Sequence, residues 1–368
     1  MKFIKIIRLW FKKMDPLKFI KDNCSQKFVS DNCIYLIRAG SQSYGTNISS
    51  SDEDFKGICV ADRKYYMGFR HRFEQYEHHD PDIVVFELTK WAGLLLSVNP
   101  NTIENLFVEP EDILYVHPAF QKIIDIRDSA LSKNVFNSFS GYAYAQMIKL
   151  QNHMRWNKEE IKKPLPEDYG FILNPEFKNL FDTVKAEVQA EVDTSLFNDF
   201  QNNKAMTLRL HEEITRLKLT KEEIWESHLK RFIDQEDIYQ QILQYKKYYK
   251  DLDHYKKYED WKKNRNPARS AVEAKVGYDA KNAYHTIRLS QMCKEILTEH
   301  KVIVKRKHDK DLYLDIRAGK YSYDELMEMS EKLREDCKAA YKTTTLPAQP
   351  DYEKFDKLVA EIVDEIAK

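Results

Sequence analysis

Between residues 33 and 87 the apolar positions come in short runs, as strands require, and beyond Leu88 they space out to the helical period. Cys33-Ile-Tyr-Leu-Ile-Arg-Ala39 is a β-rich run that stops at Gly40 and predicts a strand. Asp54 to Val60 and Asp82 to Phe86 predict two more, with Phe73 to His78 a weaker candidate between them. Asp80-Pro81 marks a turn. Trp91, Leu94, Leu95 and Val98 then recur at helical spacing until Asn99-Pro100-Asn101 ends that helix. Further helices are predicted over Thr102–Phe107 and from Pro118 to Trp156.

From residue 157 to 270 the chain turns dense in Lys, Glu, Gln and Tyr, with Pro164 and Pro166 as a linker at its start. Helical stretches are predicted over Phe181–Ala190, Ala205–Leu219 and Lys221–Tyr258. After Gly277 another long helix is expected up to His300, then a short strand pair at Val302–Arg306 and Leu312–Arg317. Two helices close the chain, Tyr323–Tyr341 and Asp351 to the end. The expected class is α/β of the α+β kind: a small mixed-sheet domain over 1–115, a helical domain from 116–156 and 265–368, and a helical insertion or arm over 157–264.

Composition narrows the partners. The 59 basic and 59 acidic residues cancel, so a polyanion must be held by local clusters, not by a global field. No apolar run approaches the roughly 20 residues of a membrane-spanning helix. Cys24, Cys33, Cys59, Cys293 and Cys337 are scattered and form no CxxC pair, which fits a reduced, cytoplasmic protein without structural zinc. Met1 to Lys13 alternates basic and apolar residues. It predicts a first helix packed on the body, although the same pattern suits an amphipathic helix on a membrane surface.

The chemistry lies in Gly40-Ser41-Gln42-Ser43-Tyr44-Gly45-Thr46-Asn47-Ile48-Ser49-Ser50-Ser51-Asp52-Glu53-Asp54-Phe55-Lys56-Gly57. A strand runs into Gly40, which can turn sharply and approach a ligand closely. The Ser41 hydroxyl and the amides after it can cradle a phosphate. The ten residues between Ser41 and Asp52 suffice for a short helix and a turn, so the chain returns as a neighbouring strand. Asp52 and Asp54 then project to one face and Glu53 to the other. Two adjacent carboxylates repel unless a cation sits between them, and hard divalent ions share such ligands with substrate phosphates. An Asp-x-Asp or a Gly-Ser alone is commonplace; the joint order of strand, Gly-Ser, spacer, Asp-x-Asp and strand is far more specific.

This run resembles the Gly-Ser…Asp-x-Asp signature of the DNA polymerase beta superfamily, and with Tyr44, Gly45, Ser51 and Gly57 it is similar to nucleotidyltransferases associated with RNA repair and RNA ligases. The similarity continues through Lys90-Trp91, Asn99-Pro100…Glu104, Leu131-Ser132-Lys133, Gly141-Tyr142-Ala143…Gln146, Arg265-Asn266-Pro267 with Glu273, and Leu346-Pro347. Its strongest late stretch is Gly277-Tyr278-Asp279-Ala280-Lys281-Asn282-Ala283-Tyr284-His285…Arg288-Leu289. Gln42 and Lys56 depart from the resemblance, each standing where arginine is usual. The resemblance implies transfer of NMP from a nucleoside triphosphate to an acceptor hydroxyl with release of pyrophosphate, two Mg²⁺ ions (or Mn²⁺ in their place), and an RNA end as acceptor. Toxin-like or antibiotic-modifying relatives would instead modify a protein or a small molecule. A catalytically dead NTP- or RNA-binding module is the contrasting class, and the intact Asp-x-Asp speaks against it.

The resemblance also implies a third acid on a later strand. Asp82 and Glu87 both qualify, but they stand five positions apart and so point to opposite faces. Asp82 heads the apolar strand and is the stronger choice; Glu87 precedes a helix whose N-terminus it can cap. The metal ligands are thus expected to be Asp52, Asp54 and Asp82. Past Gly277, Tyr278, Lys281, His285 and Arg288 fall on one helical stripe. Its cationic members require an anion, either a structural carboxylate (Asp279 or Glu273) or the triphosphate or RNA backbone. With Gly40, Ser41 and Tyr44, the residues Lys281, His285 and Arg288 form the expected nucleotide-binding set. Tyrosines among the lysines of 246–263, and Lys301–Lys310 with Lys305, Arg306 and Lys307, are weaker RNA-binding candidates. Acidic neighbours dilute the first of these toward a solvated helix face, and His78-His79 has poor spacing for a metal.

Overall fold

The computed structural model describes residues 14–48, 51–202, 225–226, 229–230, 233, 235–265 and 267–367. The basic and apolar segment Met1–Lys13, the helix expected over Ala205–Leu219, most of 221–235, and Asn266 lie outside the described residues.

The chain divides into two compact units, Met1–Asn157 with Asn266–Lys368, and Lys158–Arg265. The first begins with α1 (Pro16–Asn23), whose N-cap Asp15 accepts from the Lys18 amide, and α2 (Phe28–Asp31). There follow β1 (Cys33–Ala39), α3 (Gly40–Tyr44), β2 (Asp54–Cys59), α4 (Arg63–Met67), β3 (Gln75–His79) and β4 (Asp82–Glu87). Then come α5 (Leu88–Leu96), α6 (Pro100–Leu106), β5 (Ile113–Val116), α7 (Pro118–Asp125) and α8 (Asn134–Lys158). In the second unit α9 spans Pro175–Asn202 and α10 Glu236–Lys263. The first unit resumes with α11 (Pro267–Val276), α12 (Ala280–Glu299), α13 (Lys310–Arg317), α14 (Tyr323–Thr343) and α15 (Tyr352–Ile366).

The sheet has the order β3-β4-β2-β1-β5, with β2 and β4 parallel and the other neighbours antiparallel. This is the expected α+β class. Alternation along the strands sorts side chains into two cores. Phe55, Cys59, Ile83 and Val85 face α1 and α2, where Ile20, Phe28 and Val29 are buried. Tyr35, Ile37, Ala39 and Ile58 face the helical side, with Trp91 and Phe120 fully buried among them. Each such large apolar side chain contributes about 1.5–3 kcal/mol by burial. The same core takes in Val135, Phe139, Met292, Ile296 and Phe355, so it runs continuously through elements on both sides of residue 115.

Two expectations are corrected. The expected strand pair does not form: Val302–Arg306 is irregular, and Leu312–Arg317 lies in α13, where Tyr313 and Ile316 are buried at helical spacing. The basic patch at Lys305–Lys307 is neutralised within the fold. Lys305 pairs with Glu111 (2.8 Å) and Asp112 (3.1 Å), Arg306 with Glu295 (2.6 Å) and Asp309, and Lys307 with Glu109 (3.2 Å).

In the second unit, Phe171, Phe181, Tyr245 and Tyr248 pack together, Phe171 and Tyr245 as stacked rings with centroids 4.1 Å apart. Tyr258 is also buried. The tyrosines of α10 that the sequence offered as base-stacking platforms are thus largely core.

One buried ionic group ties α12 to the start of the sheet domain. Arg288 and Glu104 are each 3 % exposed and paired. The Tyr44 hydroxyl donates to the second Glu104 oxygen at 2.5 Å, and the Arg288 guanidinium lies 3.9 Å from the centre of the Tyr44 ring. Burial, reinforced by Glu104, pushes the Tyr44 hydroxyl well above its ordinary pKa despite the opposing Arg288, so it stays a donor. Removing one partner strands the other charge. Glu104→Ala is expected to cost about 3–5 kcal/mol in denaturant unfolding, far beyond the effect of an exposed pair such as Arg334–Glu331.

Candidate active site

β1 ends at Ala39 and the chain turns at once through Gly40, whose φ is +63°. A side chain there would be strained in this left-handed conformation, and it has no room: a Cβ on Gly40 would lie 1.8 Å from Asp54 Oδ2. The Asp54 carboxylate therefore rests directly on the backbone of the turn that opens α3. Ser41 follows, half-buried, and Ser43 is buried, its hydroxyl donating to the Gly40 carbonyl (3.0 Å).

After α3 the chain leaves through Gly45 (φ +70°) and is clasped by elements from the C-terminal part of the same unit. The Arg306 amide donates to the Tyr44 carbonyl (2.9 Å), Arg317 donates to the Thr46 carbonyl, and the Thr46 and Tyr284 hydroxyls are hydrogen-bonded at 3.0 Å. The turn beneath Asp54 is thus fixed from both ends.

β2 returns antiparallel to β1, with Asp54 opposite Ala39. On its other side β4 runs parallel, and Asp54 and Asp82 are direct partners in the register. Both are half-buried. Asp52 is exposed in the segment just before β2, and Glu53 reaches 4.0 Å from Arg38 on the other side of the sheet. Asp54 carries the mark of this crowding. Burial raises its pKa, and the charges of Asp82 and then Asp52 add to the rise, while Lys281 and Lys56 oppose it. The structure therefore gathers Asp52, Asp54, Asp82, Gly40, Ser41 and Lys281 at one end of the parallel strand pair. Lys56 joins them, two residues along the Asp54 face of β2.

The remaining candidates sit elsewhere. Glu87 is 3 % exposed and caps α5, accepting from the amides of Thr89 (2.8 Å) and Lys90 (3.0 Å) and from the Tyr66 hydroxyl (2.6 Å). Of the two acids of β4, only Asp82 lies beside Asp54. Arg288 and Tyr44 are engaged with Glu104 as described, so the stripe past Gly277 is split. Lys281 is exposed toward the acids and Arg288 is buried. His285 lies between them, half-buried, its ring edge-on to Tyr284 at 5.1 Å. Tyr278 is buried and donates to the Tyr321 carbonyl at 2.5 Å. The carboxylate that satisfies Arg288 is Glu104, neither Asp279, which caps α12, nor Glu273, which accepts from Asn157.

Among the described residues no group of three or more His, Cys, Asp or Glu side chains is placed to hold a metal ion. The acidic set is an open one of oxygen donors, with two carboxylates fixed by strand register and a third on the adjoining segment. A set of oxygen-only donors suits Mg²⁺ better than a zinc-type cage.

A parallel strand pair that aligns two aspartates over a Gly-Ser turn, within this mixed sheet, is the framework of a DNA polymerase beta-like protein. The chain belongs to the RNA repair pathway DNA polymerase beta family, which matches residues 19–262. No curated protein and no solved structure matches the chain. No described helix is long and apolar enough to cross a membrane.

Since Asp54 is more easily protonated in the folded chain than in the unfolded one, its ionisation opposes folding. The folded state binds the extra proton, so Asp54 costs stability as pH rises from the usual aspartate range through its raised folded pKa. Asp54→Asn should therefore raise Tm at pH 7 in chelator. The gain should shrink toward pH 4, and scanning calorimetry at both pH values checks it. Gly40→Ala should lower Tm and displace Asp54, as both the positive φ and the missing space demand.

Proposed function

We propose that this chain is a metal-dependent nucleotidyltransferase that moves NMP from a nucleoside triphosphate to an acceptor hydroxyl, the acceptor being an RNA end. The observation that carries the reading is the alignment of Asp54 with Asp82 against the Gly40 turn. The family's RNA repair description supports the choice of acceptor.

In this reading Asp52, Asp54 and Asp82 hold Mg²⁺, or Mn²⁺ in its place. When bound, such ions neutralise the carboxylates and the triphosphate and favour the deprotonated acceptor. Ser41 and the amides of the Gly40 turn receive phosphate oxygens, because the turn presents its N–H groups next to Asp54. Lys281 and Lys56 offset the negative charge that collects when a triphosphate enters beside three carboxylates. His285 stands one helical turn beyond Lys281 on α12 and is assigned in this reading to the same ligand. Arg288 and Tyr44 act at one remove: with Glu104 they fix α12 against α3. The acceptor oxygen attacks the α-phosphorus, the bond from that phosphorus to the bridging oxygen breaks, and pyrophosphate departs with its electron pair.

The test is to incubate the protein with each α-labelled NTP, Mg²⁺ and a mixture of RNA ends, proteins and small acceptors, and to follow the label. RNA should acquire it. Asp54→Asn and Asp82→Asn should each lower transfer by at least about 100-fold, beyond the 10–100-fold typical of residues that only support a metal ligand. Glu87→Gln should lower stability through the lost cap and leave transfer per folded molecule near wild type. Undiminished transfer by Asp54→Asn would overturn the reading.

A further inference from the structure

Between β2 and β3 lies a segment that the chemistry above does not use. Residues 62–73 carry Arg63, Lys64, Arg70 and Arg72 against a single acid, Asp62, in a chain whose total charge is zero. All four cations are exposed, and Asp62 is paired with Lys64 at 3.2 Å. Among the described residues Phe69 is the most exposed large hydrophobic, at 91 %, and Met67 beside it is 76 % exposed.

The segment is anchored from inside. Tyr65 and Phe73 pack on Phe28 with ring centroids 5.2 and 4.9 Å away, and on each other at 6.1 Å. The Gly68 amide donates to the Lys64 carbonyl at 3.0 Å, and a Cβ on Gly68 would meet that oxygen at 2.4 Å. This tight turn ends α4 and sends Phe69 outward. Tyr65, Tyr66 and Phe73 thus hold the segment, Tyr66 through its hydroxyl on Glu87, while Phe69 and four cations are left in solvent.

We propose that this loop is a binding surface for single-stranded RNA, with the Phe69 ring as a stacking platform and Arg63, Arg70 and Arg72 as phosphate contacts. Exposed aromatic rings amid cations hold single strands by stacking and phosphate pairing, and guanidinium groups suit phosphate through their paired donors. A membrane surface fits less well. Interfacial binding needs an extended apolar helix face, and α4 has five residues. The loop stands beyond the Cys59 end of β2 and the acids at the Asp54 end, so at least the five strand steps of β2, about 16 Å, separate them. It would meet RNA at least about five stacked nucleotides from a reacting end, at about 3.4 Å each. The proposal rests on the RNA acceptor of the reading above and not on the transfer chemistry.

The test is fluorescence anisotropy of a labelled single-stranded RNA of about 16 nucleotides with the full chain, without NTP, across a salt series. Phe69→Ala is expected to raise Kd about 10-fold at unchanged salt slope, the loss of one stacked base. The double variant Arg70→Gln, Arg72→Gln should flatten the slope of log Kd against log salt by about 1.4, for two lost phosphate contacts. Both substitutions sit on exposed positions, and unchanged melting curves verify the fold. Unchanged Kd and slope in both loop variants would overturn the proposal. So would loss of binding to phosphatidylcholine–phosphatidylserine vesicles with RNA binding intact, which would make the loop a membrane contact. If the wild-type chain binds no RNA, this surface falls, while labelled transfer to another acceptor would leave the chemistry standing.

Discussion

Two carboxylates held side by side by strand register set the terms for the rest of this molecule. Asp54 and Asp82 face each other across a parallel pair, half-buried, with Asp52 nearby. Like charges at that spacing resist burial, so the fold must hold them together at a cost in stability. The backbone does so: β4 and β1 pin β2 on both sides, and Gly40 removes the one side chain that would push Asp54 away. Lys281 and Lys56 relieve part of the repulsion. A cation would ease an arrangement strained in this way, and destabilised local structure is commonly maintained at functional sites.

A second group supports the first from a distance. Lys281 can answer Asp54 only if α12 keeps its place, and the Arg288–Glu104–Tyr44 cluster holds that helix to α6 and α3. Half of the polar stripe on α12 therefore serves packing and half serves the acids. Such a buried pair adds little net stability over an apolar equivalent, but it admits one geometry. Register at the acids and docking of the helix are in this sense one constraint expressed twice.

Much of this was legible in the sequence because it depends on period and on glycine. The run from Cys33 to Ala39, its stop at Gly40 and the return through Asp54 follow from strand alternation and from the one residue that tolerates the turn. The same alternation separated Asp82 from Glu87, and the structure adds the reason for the second acid, a helix cap under the Tyr66 hydroxyl. What escaped was tertiary. Leu312–Arg317 reads equally well at period two or three in so short a window, and the burial of Tyr313 and Ile316 decides for the helix. The four-residue edge strand Ile113–Val116, with Leu114 and Tyr115 exposed, lacks a pattern of its own. Glu104 as the partner of Arg288, 184 positions away, lies beyond local spacing. So does the pairing that cancels the charges of Lys305, Arg306 and Lys307.

The length of β4 has a consequence of its own. Its first residue serves the acids and its sixth supports a helix from the opposite side of the sheet, so the two duties are separated by parity. Losing or gaining one residue between Ile83 and Phe86 would bring both carboxylates to the same side, leaving either the cap or the acidic cluster without its member. Variation in this strand should thus run through exchange of apolar side chains at constant length, and insertions should collect in the connecting loops instead.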